Sequence, residues 1–189
     1  MGTATTLERE VKLSFDSTES AREAVVAAGA TPLHGRRLQE DALLDTADNR
    51  LQKRGCALRI RLENGKSRIT FKGPMQKSPM KLRDELETLV GDGVLLLRVF
   101  EELGFQVWFR YEKYREEFAR EDVTVAIDET PVGVFVEIEG TESGITAMAA
   151  AMGRTPADYI LDSYRSLFVQ HRTARGLTGT DMVFDAPPE

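Results

Sequence analysis

The stretch from Glu8 to Lys12 combines acidic and basic side chains at a spacing that suits metal and phosphate chemistry. In a β-strand, successive side chains point to opposite faces, so Glu8, Glu10 and Lys12 would share one face. Carboxylates about 7 Å apart along a strand can share a hard divalent cation, and a neighbouring lysine suits a phosphate oxygen. So short a pattern also arises by chance in a charged protein. Its weight depends on whether the same alternation recurs in other strands.

Alternation of apolar and charged residues does recur along the chain, and it predicts seven further strands. Turn residues separate these segments, and Asn64-Gly65 predicts a tight hairpin. With the first included, the predicted strands cover about residues 8–15, 35–45, 57–63, 68–72, 81–87, 105–118, 123–128 and 134–139. Helical spacing and capping residues predict helices over about 17–28, 93–103, 141–152 and 155–171.

In each predicted strand one set of alternate residues is apolar and the other is rich in charge. The charged set comprises Glu8, Glu10, Lys12, Asp41, Arg59, Arg61, Lys72, Arg83, Glu85, Glu87, Lys113, Arg115, Asp128, Glu137 and Glu139. An open antiparallel sheet with one solvated face would explain this alternation. A closed sheet would place the charges inside, balanced against metal ions and a bound anion. Long side chains of both signs, rather than Ser, Thr or Asn, favour the closed sheet.

The composition limits the classes of function. A chain of 189 residues with 41% apolar and 30% charged residues fits one globular domain. Its net charge of −6 argues against a nucleic-acid-binding surface. Without an apolar run near ~20 residues or a signal-like start, we expect a cytoplasmic protein that does not bind membranes. One cysteine and two histidines disfavour a disulfide, a zinc site and a histidine base, so carboxylates and basic groups must carry any catalysis.

The ordered set of motifs resembles the CYTH domain, a family within the triphosphate tunnel metalloenzymes that includes class IV adenylyl cyclases and thiamine triphosphatases. The resemblance covers about residues 6–172. It rests on Glu8-Arg9-Glu10-Val11-Lys12, Gln39-x-Asp41 with Asp45, Leu58-Arg59-Ile60-Arg61, Thr70-Phe71-Lys72-Gly73-Pro74, Arg83-x-Glu85-x-Glu87, Lys113-Tyr114-Arg115, Asp128-Glu129 and Phe135-Val136-Glu137-Ile138-Glu139-Gly140. It implies an α+β fold in which an eight-stranded antiparallel β-barrel forms a tunnel and helices pack outside. We therefore expect a tunnel domain over residues 1–175 and a loosely held tail over 176–189, with docking of 182–184 left open.

The resemblance also implies roles for individual residues. It implies that Mg²⁺ or Mn²⁺ is bound by Glu8, Glu10, Glu137 and Glu139, with Asp128 as a further ligand or a group that orients water. It implies that the triphosphate is bound by Lys12, Arg59, Arg61, Lys72, Arg83, Lys113 and Arg115. The catalytic roles fall to Lys12 and Asp128. Glu85 and Glu87 would orient the basic residues. The expected partner is a small molecule carrying a triphosphate, and a homodimer stays open.

The expected reaction is metal-dependent hydrolysis of inorganic, nucleoside or thiamine triphosphate. Cyclisation of ATP to cyclic AMP and pyrophosphate would use the same residues, and a non-catalytic polyphosphate-binding module is a third alternative. Hydrolysis is preferred because no motif for gripping a purine is evident. Many members of the family have an aromatic pair where this chain has Leu43-Leu44. Recognition is therefore expected to depend mainly on the triphosphate, with Phe109 or Tyr111 as candidate stacking residues and Trp108 as a packing residue.

Overall fold

A computed structural model describes residues 6–185 of the chain. Eight strands form a closed barrel in the order β1-β5-β4-β3-β2-β6-β7-β8, and every neighbouring pair is antiparallel. The strands are β1 (Thr6–Phe15), β2 (Thr31–Thr46), β3 (Ala57–Glu63), β4 (Lys66–Lys72), β5 (Lys81–Val90), β6 (Phe105–Arg120), β7 (Val123–Thr130) and β8 (Gly133–Gly140). The prediction of an eight-stranded antiparallel barrel is confirmed.

The hydrophobic core lies outside the barrel, between the strands and the helices. The helices are α1 (Thr18–Ala27), α2 (Arg50–Lys53), α3 (Gly93–Glu102), α4 (Glu142–Ala151) and α5 (Tyr164–Arg175). Val11 and Leu13 of β1 are fully buried and pack with Val25 of α1 and Ile145 of α4. Because alternate residues of each strand face these helices, the charged residues between them face the barrel interior. Within residues 6–185, no helix is long and apolar enough to cross a membrane.

The hairpin between β3 and β4 sets the register of two strands that carry charged side chains. Asn64 and Gly65 both have positive φ, at 48° and 72°, as the two central residues of a type I′ turn require. The turn pairs Glu63 with Lys66, and Arg59 then lies opposite Thr70. The sequence signal at this turn therefore fixes which residues of the two strands are neighbours in the barrel.

The helix predicted over 155–171 is wrong in its first part. Pro156–Asp158 form a single 3₁₀ turn, after which the backbone extends and the Ile160 N–H donates to the Lys12 carbonyl at 2.8 Å. Ser163 then caps α5 by accepting a hydrogen bond from the Ser166 N–H. The pairing with β1 competes with helix formation, and a second capping residue restarts the helix. The first residues of α5 are thereby placed against the barrel opening.

The described part of the predicted tail, residues 176–185, contacts β6 through its backbone and side chains. The Met182 N–H donates to the Arg110 carbonyl at 3.0 Å, and its carbonyl accepts from the Glu112 N–H at 2.8 Å. The Met182 side chain is 0% exposed, and the ring of Phe184 lies 5.1 Å from that of Tyr114. Met182 therefore anchors this segment to β6.

Replacing Met182 by alanine should lower the free energy of unfolding by about 2–5 kcal/mol, the range for truncating a buried methionine. Val183→Ala is the matched control, because Val183 is 43% exposed and should cost much less. Urea denaturation of both variants measures the difference. Equal small effects would show that the segment beyond α5 does not contribute to stability.

Candidate functional site

The interior of the barrel holds a cavity of about 1030 Å³. Among the described residues, twelve Lys or Arg and eight Glu line it, so the lining carries a surplus of positive charge in a chain whose net charge is −6. Asp41 and Asp128 lie in the wall behind the basic residues and reduce this surplus without removing it. An interior of this kind suits a multiply charged anion.

The structure brings together the side chains predicted for the site. Eleven of the twelve line the cavity: Glu8, Glu10, Lys12, Arg59, Arg61, Lys72, Arg83, Lys113, Arg115, Glu137 and Glu139. The twelfth, Asp128, is 0% exposed and contacts the site only through its neighbours. Placement in one cavity follows directly from closure of the sheet, because the alternate residues of all eight strands then converge.

An acidic cluster of Glu8, Glu10 and Glu139 forms where β1 pairs with β8. Glu10 lies opposite Glu139 in the register of β1 and β8, and Glu8 is two residues away on the same face. Burial raises the pKa of Glu139 to about 7, with added repulsion from Glu8 and Glu10. Among residues 6–185, no basic side chain forms an ion pair with Glu139. The cluster therefore has one carboxyl group that lines the cavity without a basic partner.

The other two carboxylates of this cluster are paired with basic groups. Lys81 Nζ lies 2.7 Å from Glu10, and Lys72 Nζ lies 2.5 Å from Glu8. Burial alone would raise the pKa of Glu10, but Lys81, with help from Lys12 and Lys72, lowers it to about 2. Both carboxylates are thus held in the ionised form by their lysine partners.

These carboxylates fit a hard divalent cation in their chemistry. Three Glu side chains offer oxygen ligands of the kind that Mg²⁺ and Mn²⁺ prefer. Burial, with added repulsion from Glu8 and Glu10, raises the pKa of Glu139, and a bound cation would offset both effects. Within residues 6–185 they do not yet converge on one point, since Glu8 and Glu10 turn toward lysines. Binding a cation would require those lysines to shift toward another anion.

Four basic side chains form a wall of the cavity, called here the basic wall: Arg59 and Arg61 on β3, and Lys113 and Arg115 on β6. The Arg61 guanidinium donates two hydrogen bonds to Asp41, at 2.8 and 3.1 Å, and Arg59 lies 3.4 Å from the same carboxylate. Burial raises the pKa of Asp41, but the two arginines outweigh it and the net shift is downward. Asp41 therefore holds the two guanidinium groups side by side, where they can form paired hydrogen bonds with phosphate oxygens.

Asp128 has the same function for the pair on β6. It accepts hydrogen bonds from Lys113 at 2.8 Å and from Arg115 at 2.6 and 2.7 Å. The Tyr164 hydroxyl donates a further bond at 2.5 Å. Burial, followed by Asp128 and Glu137, raises the pKa of Tyr164, so the phenol remains a neutral donor. Both carboxylate oxygens are therefore occupied by donors from the chain itself.

Lys12 lies between the acidic cluster and Asp128. Its ammonium is 2.9 Å from Glu137 and 4.6 Å from the centre of the Tyr164 ring, and the residue is 1% exposed. Burial lowers the pKa of Lys12, but Glu137 and Glu10 reverse the shift and raise it. The side chain is thus a fixed positive charge at the centre of the site.

Lys81 and Tyr164 belong to the site but were missed by sequence reasoning. Lys81 shares the alternation of Arg83 and Glu85, so a signal for it was present in β5. Tyr164 belongs to a helix outside the barrel, and its contact with Asp128 depends on how α5 docks. No local pattern in the sequence indicates that contact.

Comparison with known proteins agrees with this geometry. The CYTH domain model matches residues 6–155. A Methanocaldococcus jannaschii protein named “Putative adenylate cyclase” is 31% identical over 140 residues, which is 74% of this chain and 79% of that protein. A Vibrio parahaemolyticus structure of the same description has a TM-score of 0.76 at 18% identity, covering 88% of this chain and 99% of the other.

A third similar structure comes from Hippeastrum, with a TM-score of 0.62 and 20% identity over 88% of this chain and 96% of that one. It is described as a “putative adenylyl cyclase” whose dominant activity is that of a triphosphatase. At this identity the likeness supports the fold alone. The family model spans most of the chain, and the curated relative passes 30% identity over most of both chains. This chain is a member of the CYTH domain family.

Proposed function

We propose that the protein hydrolyses triphosphate substrates inside the barrel, with Mg²⁺ or Mn²⁺ as cofactor. The observation that carries the proposal is the pairing of an acidic cluster with a basic wall in one cavity of about 1030 Å³. Phosphoryl transfer needs charge neutralisation and alignment more than covalent help from the protein. A tunnel with both sets of charges supplies these requirements.

Glu8, Glu10 and Glu139 would hold the cation, because they share one face at the meeting of β1 and β8. When bound, the metal supplies charge neutralisation at phosphate oxygens and lowers the pKa of a water molecule. Glu137 and Asp128 differ from these three because each of them contacts both Lys113 and Arg115, the basic pair of β6. We assign those two to positioning the basic residues rather than to metal ligation.

The basic residues would bind the triphosphate along the cavity. Arg61 and Arg115 are held in fixed orientations by hydrogen bonds to Asp41 and Asp128, which reduces the entropy lost when they form paired bonds with phosphate oxygens. Arg59 donates to the Thr70 hydroxyl at 3.1 Å and lies 3.4 Å from Asp41. Lys72 and Arg83 face Glu8 and would turn to the phosphates when a cation takes their place. Lys12 would place its fixed charge against the phosphoryl group that is transferred.

Binding of triphosphate should take up a proton above about pH 8, because burial and Arg115 lower the pKa of Lys113 to about 8 and a bound polyanion would raise it again. Affinity should therefore fall as the pH rises through about 8, where the free protein loses the Lys113 proton. Calorimetry in two buffers of different ionisation enthalpy measures the uptake. Lys113→Met should abolish it, and identical heats in both buffers would contradict the assignment.

Cyclisation of ATP is the second candidate, supported by the name of the M. jannaschii relative. It would use the same cation and the same basic wall, with the ribose hydroxyl in place of water as the nucleophile. A module that binds polyphosphate without turnover is the third, and the ionised carboxylates at Glu8 and Glu10 argue against it.

A panel of inorganic triphosphate, nucleoside triphosphates and thiamine triphosphate, assayed with Mg²⁺ or Mn²⁺, separates these candidates. Release of phosphate, lost on chelation and restored by metal, is the expected result. Cyclic AMP with pyrophosphate would identify a cyclase. Tight binding of the whole panel without any product would identify a binding module, and turnover in metal-free protein would reject the metal-dependent site.

A further inference from the structure

A β-bulge turns Trp108 toward the cavity. Leu43 pairs with Phe109 but the next residue, Leu44, pairs with Val107, so Trp108 is an extra residue of β6 at this point. In a regular strand Trp108 and Phe109 would face opposite sides, yet both line the cavity. Bulges commonly redirect a side chain beside a functional site. Trp108 therefore lines the tunnel in addition to packing against Phe109, as the sequence predicted.

At this end of the barrel, where β2 leads into α2, apolar side chains form part of the cavity lining. They belong to Leu43, Cys56, Ala57, Trp108 and Phe109, and they lie beside the polar groups of Gln52 and Lys72. The opposite end, beside the β3–β4 hairpin, is lined mainly by charged and polar groups, among them Arg37, Glu63, Lys66 and Glu117. The two openings thus differ in chemistry, and the first offers aromatic rings to an uncharged flat group.

Arg165, in the first turn of α5, covers the end that Trp108 lines. Its guanidinium carbon lies 5.0 Å from the centre of the Trp108 ring and 5.6 Å from that of Phe109. Within residues 6–185, no carboxylate forms an ion pair with Arg165 and no hydrogen bond engages its side chain. Its N–H donors therefore remain available to a ligand that enters between Trp108 and the basic wall.

The basic wall begins directly beside Leu43 and Phe109. Leu43 lies opposite Arg59 in the register of β2 and β3, and opposite Phe109 on its other side. A triphosphate held by Arg59 and the residues beyond it would thus have one end near Trp108. Any group attached to that end would lie against the indole and the guanidinium.

We propose that Trp108 and Arg165 determine substrate specificity by stacking on a flat aromatic heterocycle attached to the triphosphate. This proposal rests on the proposed triphosphate site. Indole and guanidinium planes both stack on aromatic rings, and such stacking tolerates different bases. Inorganic triphosphate has no such ring and gains nothing from the pair. Organic triphosphates are then the preferred substrates, in contrast to the equal treatment expected from the sequence.

Fluorescence tests this directly, because Trp108 is the single tryptophan of the chain. Methylene-bridged analogues of ATP and of inorganic triphosphate bind without turnover. The ATP analogue should change the emission of Trp108 strongly, and the inorganic triphosphate analogue should change it only weakly. Analogues of GTP and of thiamine triphosphate then distinguish purines from other heterocycles. Equal responses to ATP and triphosphate analogues would overturn the proposal even if hydrolysis is absent, so its failure is separable from that of the proposed reaction.

Kinetics of variants supply the second test. Trp108→Ala should raise KM for organic triphosphates by about 5- to 150-fold, the effect of losing one stacked base. KM for inorganic triphosphate should stay within about twofold of the wild-type value, and Trp108→Phe should recover part of the loss. Arg165→Lys should show the same selectivity, because a lysine keeps the charge but not the plane.

Arg172→Ala is the matched control, since Arg172 lies further along α5 over Phe168 and outside the cavity lining. It should leave both substrates unaffected. Equal losses for organic and inorganic substrates in Arg165→Lys would show that Arg165 binds phosphate instead. An unchanged KM for ATP in Trp108→Ala would likewise contradict the proposal.

Discussion

Replacing Asp128 by alanine should lower the free energy of unfolding by about 3–5 kcal/mol, the cost of removing one partner from a buried charge network. The substitution leaves Lys113 and Arg115 without their shared counter-charge inside the barrel, and Tyr164 loses its acceptor. Asp128 is 0% exposed, so water cannot readily replace the lost contacts. Denaturant titration measures the change, and ligand affinity should fall as well because the basic pair loses its fixed orientation.

Glu129→Ala is the control for this effect. Glu129 is adjacent in sequence but pairs with Arg36 on the outer surface, where an ion pair contributes at most about 1 kcal/mol. Asp128→Asn should lie between the two, since it keeps the shape and loses the charge. If Asp128→Ala were no more destabilising than Glu129→Ala, the basic pair would not depend on Asp128.

Glu10→Gln should reduce kcat by about 100-fold or more while leaving the fold intact, because losing one charged metal ligand removes several kcal/mol of transition-state stabilisation. Glutamine can still accept the hydrogen bond from Lys81, so the interior remains paired. Steady-state hydrolysis and thermal unfolding of the same sample separate the two effects. Glu40→Gln, an exposed position of β2, is the matched control and should change neither. Turnover near the wild-type rate would make Glu10 a charge without a role in catalysis.

The sequence was sufficient to predict the strands and the side chains that share their charged face. Alternation fixes which residues lie on one face, and a turn such as Asn64-Gly65 fixes the register between neighbouring strands. For this reason the residues expected to act together, from Glu8 on β1 to Glu139 on β8, do line one cavity. Alternation could not decide whether the sheet closes, because an open sheet with one wet face has the same pattern.

The contacts that the sequence did not reveal arise between elements or from irregular backbone. Tyr164 reaches Asp128 only because Ile160 pairs with β1 and sets the start of α5. Trp108 faces the cavity because β6 carries one residue more than β2 at the bulge. Neither contact is indicated by a local sequence pattern. Lys81, in contrast, follows the alternation of β5 and could have been predicted from it.

The central claim is that a divalent cation and a triphosphate bind side by side within the barrel. Crystals grown with Mn²⁺ and a methylene-bridged triphosphate analogue test it directly, because the anomalous signal of Mn²⁺ locates the metal independently of the phosphates. We expect the metal against Glu8, Glu10 and Glu139, at about 2.0–2.2 Å from carboxylate oxygens as for other hard cations of this size. We expect the phosphates against Arg59, Arg61 and Arg115. Metal or phosphates found only on the outer surface, with the interior ion pairs unchanged, would contradict the account.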